Sequence, residues 1–300
     1  MYIGILTITY GKMKYLKSAI ILSVILLSLN LKARELERPA IWGIAKITYS
    51  VSDFETARSF YGRFLGFQEC ISYQSDYGKV ISFKVNDRQF LEFVQNKDAG
   101  EKSRMLSVSF ETDNADQMRI YLESKDLDVP PSVTRDGAGN DVFAVSDPSG
   151  NKIEFIEFKD NSLHKKSAGK FISDNRISRR IHHAGLYAEK ILVNDPFYVG
   201  ALNFREIWKY PDDKSGEPSF LYLAIPECTE TIELLSSGGA STNHPCFLVD
   251  DMQETIYDLK GRRVNEILNS PAVGRGNRWL LNITDQDKIK VEFTEQYTVR

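Results

Sequence analysis

The segment Phe60-Tyr61-Gly62-Arg63-Phe64-Leu65-Gly66-Phe67-Gln68-Glu69 returns as Phe197-Tyr198-Val199-Gly200-Ala201-Leu202-Asn203-Phe204-Arg205-Glu206, 137 residues further along the chain. Self-similarity at that spacing means a duplicated domain. Working outward, each copy opens with an apolar strand, Ile44 to Val51 and Ile181 to Ala188. A helix ending near the repeated aromatic pair follows, and then several strands. In the first copy Ser52 and Glu55 have capping-box spacing, while Phe54, Ala57, Tyr61 and Phe64 recur at helical intervals. In the second, Pro196 predicts a helix starting at Asn194 or Asp195 with Pro near its first position. Each copy divides once more, its later half opening with Leu106 to Thr112 or Pro245 to Val249 and continuing into a helical stretch. The predicted unit is a strand, a helix and three strands, four times over, an α+β chain. The first domain is expected over 42–158 and the second over 181–296, joined by a polar, basic linker at 159–180.

The first 33 residues differ in kind. Lys12, Lys14 and Lys17 precede an apolar run from Ala19 to Leu29, and Leu31-Lys32-Ala33 offers a small residue for cleavage. This predicts a signal peptide at 1–33, with Met13 as an alternative start, and hence an exported, periplasmic or extracellular protein. The run is shorter than the roughly 20 residues of a spanning helix, so no stable membrane anchor is expected. The 300-residue chain carries a formal charge of −3; residues 1–33 hold four lysines and no acids, so the mature chain would carry −7. An acidic chain is a poor nucleic-acid partner, and a small-molecule substrate is expected instead. Cys70, Cys228 and Cys246 cannot all pair in an oxidising compartment and match no zinc spacing; a Cys228–Cys246 bridge is left open.

The strand running into Val51-Ser52-Asp53, the helix with Phe60-Tyr61 and Leu65-Gly66-Phe67, and the later Asp147-Pro148-Ser149-Gly150-Asn151-Lys152-Ile153-Glu154 together resemble the vicinal-oxygen-chelate superfamily. The likeness covers Trp42 to Phe158 and Ile181 to Glu295. It implies paired βαβββ modules curled into a half-open barrel with a metal in its mouth. Ligands are then expected on the first strand of each half and the last strand of the second half, often with a further Glu on the last strand of the first half.

In the second copy these positions fall on His183, His244 and Glu292, with Glu233 as the additional carboxylate. His183 and His244 are 61 residues apart, and the repeat offset puts Lys46 and Ser107 in their places in the first copy, where Glu92 and Glu154 remain. The resemblance therefore implies a metal site kept in the second copy and lost in the first, with Lys46 pairing Glu92 or Glu154 in place of the cation; a metal-free ligand pocket is the alternative there. A mixed imidazole and carboxylate set suits iron, manganese, nickel or zinc. Strand alternation places His183, Gly185 and Tyr187 on one face, with Gly185 leaving room above it, and His182 on the other. His164, in the linker, is not expected to be a ligand.

A metal-free first copy and a metal-bearing second resemble two-domain extradiol dioxygenases. The family's pattern before the final Glu carries His, Tyr, Pro and Gly, none of which occurs from Arg278 to Glu292. Glu233 resembles instead the glyoxalase I-like ligand order His, Glu, His, Glu. There a carboxylate acts as general base beside a carbonyl while a metal stabilises the enediolate oxygen. The expected activity is that of an isomerase or lyase on a small hydroxy-carbonyl compound, with Glu233 catalytic and Tyr187, Tyr222, Arg275, Arg278 and Trp279 on the substrate side. Ring cleavage and non-catalytic binding of the bleomycin-resistance kind are the alternatives.

Overall fold

A computed structural model describes residues 36–96, 104–211, 217–262 and 270–299. The expected signal segment lies outside these. Among the described residues no helix is long and apolar enough to cross a membrane.

Each copy builds one eight-stranded sheet. In the first, β1 (Ile41–Val51) leads into helix α1 (Phe54–Ala57, continuing over Arg58–Phe64) and then β2 (Gln68–Ser75), β3 (Gly78–Lys84) and β4 (Phe90–Gln95). The second module follows as β5 (Met105–Thr112), α2 (Ala115–Glu123), β6 (Thr134–Arg135), β7 (Asp141–Ser146) and β8 (Lys152–Glu157). After α3 (Leu163–Lys166) the second copy repeats this as β9 (Arg180–Tyr187), α4 (Pro196–Ala201), β10 (Arg205–Tyr210), β11 (Phe220–Ala224) and β12 (Thr231–Leu235). It ends with β13 (His244–Val249), α5 (Met252–Gly261), β14 (Ala272–Val273), β15 (Trp279–Thr284) and β16 (Lys290–Glu295). The strand orders are β2-β3-β4-β1-β5-β8-β7-β6 and β10-β11-β12-β9-β13-β16-β15-β14, identical in pattern. The first strand of each module therefore lies at the sheet centre, where β1 pairs β4 in parallel and β5 antiparallel. β1 is buried nearly throughout, yet its residues alternate: Ile47, Tyr49 and Val51 belong to the apolar core, whereas Lys46 and Thr48 line a cavity on the other face of the sheet.

Two local expectations change. The capping box at Ser52 does not form, because the Ser52 N–H donates to the Asp287 carboxylate at 3.1 Å and Asp53 caps α1 by accepting from Glu55 N at 2.8 Å. Asp195 caps α4 with Pro196 at its start, as the sequence predicts. Both helices end in π-type bonds, Leu65 N to Phe60 O and Leu202 N to Phe197 O at 2.9 Å each. The linker, though polar, is packed: Ser162, His164, Ser167 and Ser178 are buried, and the buried Lys84 ammonium donates to the carbonyls of Ser167 and Lys170.

Residues 38–300 form one compact unit with a continuous apolar core. The repeated motif itself joins the copies. Tyr61 donates to Asp285 at 3.1 Å, and its equivalent Tyr198 donates to Asp147 at 2.9 Å. Phe67 packs on Phe247 with ring centroids 5.2 Å apart, and the equivalent pair Phe204 and Phe110 lies at 5.5 Å. Each copy's first helix thus docks on the other copy's second half.

Candidate metal centre

The central strands converge on Gly185. Its register partners are Glu233 on β12 and His244 on β13, while Cys246, two residues past His244, sits opposite both His183 and Glu292. The sequence suggests free space above Gly185; the structure fills it with the His244 ring, whose Cε1 would lie 2.2 Å from any added Cβ. Only glycine lets the imidazole lie against the sheet there.

His183, Glu233, His244 and Glu292 are all buried, and one donor atom from each lies within 4.8 Å of the others. The His183 Nε2 is 3.4 Å from Glu233 Oε2 and 3.5 Å from Glu292 Oε1; the His244 Nε2 is 3.4 Å and 3.8 Å from Oε2 of Glu233 and Glu292. These gaps are long for hydrogen bonds, and the His183 Nε2 is a buried nitrogen with no hydrogen-bond partner. They match the separations of ligand atoms standing about 2.1 Å from a shared cation. The other ring nitrogens are already engaged. His244 Nδ1 donates to Thr242 O at 2.8 Å, leaving Nε2 with its lone pair facing the cluster. His183 Nδ1 meets His182 Nδ1 at 2.9 Å. Burial alone would raise the Glu233 carboxyl, but its contacts with His183 and His244 prevail and hold it well below the usual carboxylate range. Tyr222 donates to Glu233 Oε1 at 2.7 Å, and Lys290 Nζ stands 3.3 Å from Glu292 Oε2. Carboxylates and imidazoles with inward-facing Nε2 atoms are the donor set a divalent cation requires, so the residues fit a metal.

The first copy holds an ammonium in the corresponding place. Lys46 Nζ lies 3.0 Å from Glu92 Oε2 and 3.9 Å from Glu154 Oε2. Glu154 also accepts from Ser109 at 2.6 Å and pairs Lys152 at 3.1 Å; Glu92 accepts from Tyr73 at 2.7 Å. His164, placed by the sequence in the linker, folds back so that Asn140 donates to its Nδ1 at 3.0 Å and its Nε2 donates to Glu92 Oε1 at 3.1 Å. Burial would raise Glu92, yet Lys46 and then His164 and Tyr73 bring it down to about 2. The two carboxylates are satisfied from within, with the Lys46 ammonium as the cation they share. Ser107, the other replaced position, is buried on the wall of this first-copy cavity.

A cavity of about 710 Å³ opens over the second cluster. Its walls are Ile207, Trp208, Phe220, Tyr222, Leu235 and Leu280, with Arg275, Arg278 and Lys290 at its polar positions. Of the substrate-side residues named from sequence, Tyr222, Arg275 and Arg278 line it, whereas Tyr187 and Trp279 do not. Tyr187 is occupied at its backbone by Asn243 and Asn151, and Trp279 packs partly buried against the core. His182 also lines the cavity, against the expectation from alternation. The register between β9 and β13 jumps from His183 opposite Cys246 to Ile181 opposite Phe247, so His182 is the extra residue of a β-bulge that turns its side chain inward. Ala45 occupies the same bulge in the first copy. Buried beside His183 and near Arg278 and Arg180, His182 is pushed down to about 2 and is neutral. Trp208, Phe220 and Lys290 escaped the sequence reading; Lys290 alone carried a signal, standing two residues before Glu292 on the same strand face. Cys70, Cys228 and Cys246 are all free.

Residues 43–155 match the family model of the Glyoxalase/Bleomycin resistance protein/Dioxygenase superfamily. No curated protein sequence matches the chain. Among solved structures, the 2,3-dioxygenase LapB from Pseudomonas sp. KL28 is 15% identical with a TM-score of 0.68, covering 88% of this chain and 96% of its own. The Mn(II)-bound glyoxalase from Novosphingobium aromaticivorans is 18% identical with a TM-score of 0.65, covering 86% and 83%. Homoprotocatechuate 2,3-dioxygenase from Arthrobacter globiformis is 17% identical with a TM-score of 0.65, covering 87% and 81%. At these identities the likeness is one of fold.

Proposed function

From the premise that this chain is a tandem of two vicinal-oxygen-chelate domains, we propose that it is an exported, metal-dependent isomerase or lyase whose second domain acts on a small hydroxy-carbonyl compound. The observation that carries this reading is the buried quartet His183, Glu233, His244 and Glu292, with its orphaned His183 nitrogen, at the floor of a cavity of small-molecule size. A divalent cation held there supplies positive charge to an oxygen that becomes negative as a neighbouring C–H loses its proton. Glu233 is the base. It is ionised, faces the cavity, and keeps one oxygen on Tyr222 while the other is directed at the two imidazoles. The Tyr222 hydroxyl holds Oε1 and so fixes the carboxylate's orientation, leaving Oε2 as the oxygen that accepts the proton. His244 is held by Thr242 O and His183 by His182, which keeps both rings from turning as ligands exchange. Glu233 is itself buried, which limits the access of bulk water to the base.

Elemental analysis of the purified chain tests this: it should contain one divalent metal, which the double change His183→Ala, His244→Ala removes. Glu233→Gln should keep metal yet slow exchange of the substrate's carbon-bound proton with deuterated solvent by on the order of 10²–10⁴. Metal retained in the double variant, or proton exchange untouched in Glu233→Gln, overturns the reading.

A further inference from the structure

The second-domain cavity carries charge of a sign the rest of the chain lacks. Three cationic side chains line it, Arg275, Arg278 and Lys290, against two carboxylates, Glu233 and Glu292, a net of plus one before any metal is added. The whole chain is net negative at −3. The equivalent cavity of the first domain has three cations, Lys46, Arg135 and Lys152, but four carboxylates, Asp76, Glu92, Asp136 and Glu154. The positive balance belongs to the second cavity.

Its two guanidiniums have no carboxylate partner among the described residues. Lys290 is taken by Glu292, but among the described residues neither Arg275 nor Arg278 forms an ion pair with a carboxylate. Arg275 lies over the rings of Tyr210 and Phe220, 4.6 Å and 5.0 Å from their centroids, and the Arg278 Nη1 stands 3.3 Å from His182 Nε2. The turn that carries them is built to hold a shape. Gly274 N donates to Arg278 O at 2.8 Å and Asn277 N to Gly274 O at 2.9 Å, Asn277 adopts φ 56°, and its side chain donates to Val299 O at 2.7 Å. A side chain at Gly274 would meet Leu280 at 2.3 Å, so the turn lies tight on β15. Guanidiniums fixed beside apolar walls, with no carboxylate partner among the described residues, present a planar pair of donors whose natural complement is a carboxylate or phosphate.

We propose that the substrate of this site is an organic oxyanion with an apolar, flat body: Arg275 and Arg278 bind its carboxylate or phosphate, the body lies between Trp208, Phe220 and Leu280, and the reacting oxygens face the quartet. As a statement about substrate this deepens the reading above and rests on it; as a statement about binding it stands on the two arginines alone. The cavity's positive field also draws such anions toward it, an attraction that salt weakens.

The probes are 3-phenylpropionate, 2-phenylethyl phosphate and the neutral 3-phenylpropanol, titrated calorimetrically into the full chain after chelator treatment and again with Mn²⁺ restored. In the chelated chain one or both anions should bind on the order of tenfold tighter than the alcohol, as expected for a charge-assisted contact. The better anion names the oxyanion. Arg275→Gln with Arg278→Gln should erase that preference, the anion losing far more affinity than the alcohol, and Arg275→Lys with Arg278→Lys should recover part of it. Equal affinity for anion and alcohol, binding of none of the three, or a preference that survives the double glutamine change overturns the proposal. Metal content measured on the same samples separates the two readings. A chain that binds no metal but still prefers the anion refutes the metal-dependent function and upholds this inference; metal without anion preference does the reverse.

Discussion

Replacing Lys46 by Met removes the ammonium that stands where the second copy has its quartet, and leaves Glu92 and Glu154 buried together. The size of the effect follows from Glu92. Its carboxyl lies at about 2 in the folded chain against an ordinary 4.5, a difference worth about 3 kcal/mol at neutral pH. Part of that belongs to His164 and Tyr73, but removing one member of a buried ion pair also strands the other, at about 3–5 kcal/mol. A loss of about 3 kcal/mol should lower the unfolding temperature by roughly 6–12 °C in a chain of this size. The sign with pH is fixed. A depressed carboxyl contributes stability above about pH 4.5 and loses it as pH falls toward 2, so the parent chain weakens on acidification through that window. Without Lys46 burial is opposed only by His164 and Tyr73, Glu92 moves up, and the variant's deficit shrinks as protonation relieves it. Scanning calorimetry at pH 7, 5.5 and 4 should therefore show the gap between parent and variant narrowing with acid, and Lys46→Met with Glu92→Gln should recover much of the loss at pH 7. A gap below about 1 °C at pH 7, or one constant with pH, would refute the idea that an ammonium replaced the cation.

Two further outcomes follow from particular contacts. Gly185→Ala puts a Cβ 2.2 Å from the His244 ring and should weaken Mn²⁺ binding by on the order of 10–100-fold in a chain that still folds; calorimetric titration at parental affinity would show that His244 does not depend on that space. Asp285, raised by burial to about 7 despite donation from Ile289 N and Tyr61, favours the folded state when protonated. That contribution is full below about pH 3.8 and is lost as pH rises through about 7, so Asp285→Asn should remove up to about 4 kcal/mol of the decline between those limits. Urea unfolding at pH 4.5 and 7.5 giving the parental difference in the variant would disprove it.

The duplication was legible because it is written in side chains that pack, and packing tolerates few alternatives: Phe60, Tyr61 and Phe64 are buried in one copy and Phe197 and Tyr198 in the other. The quartet was legible because each member sits on a strand whose place in the repeat is fixed, and the 137-residue offset finds Lys46 and Ser107 by the same rule. What escaped depends on residues brought together from outside that register. His182 faces the cavity only because a bulge adds one residue to β9, which periodicity two cannot show. His164 reaches Glu92 because the linker folds back over its own domain, and a polar stretch carries no mark of where it packs. Asp53 took the cap from Ser52 because Asp287, 234 positions away in sequence from Asp53, claimed the Ser52 amide. The apolar walls at Trp208 and Phe220 come from β10 and β11, strands identifiable in themselves but not in the cavity they close.

The reciprocal bonds of Tyr61 with Asp285 and Tyr198 with Asp147 bear on how the two copies hold together over time. With a shared core and matched contacts in both directions, neither copy opens without exposing aromatic surface of the other. A cation taken up by His183 and its partners favours the closed form by its own binding free energy, and the strands of the first copy share in that gain although none of them touches the ion. A metal bound at that quartet would therefore slow amide exchange and proteolysis in the first copy as well as in the second.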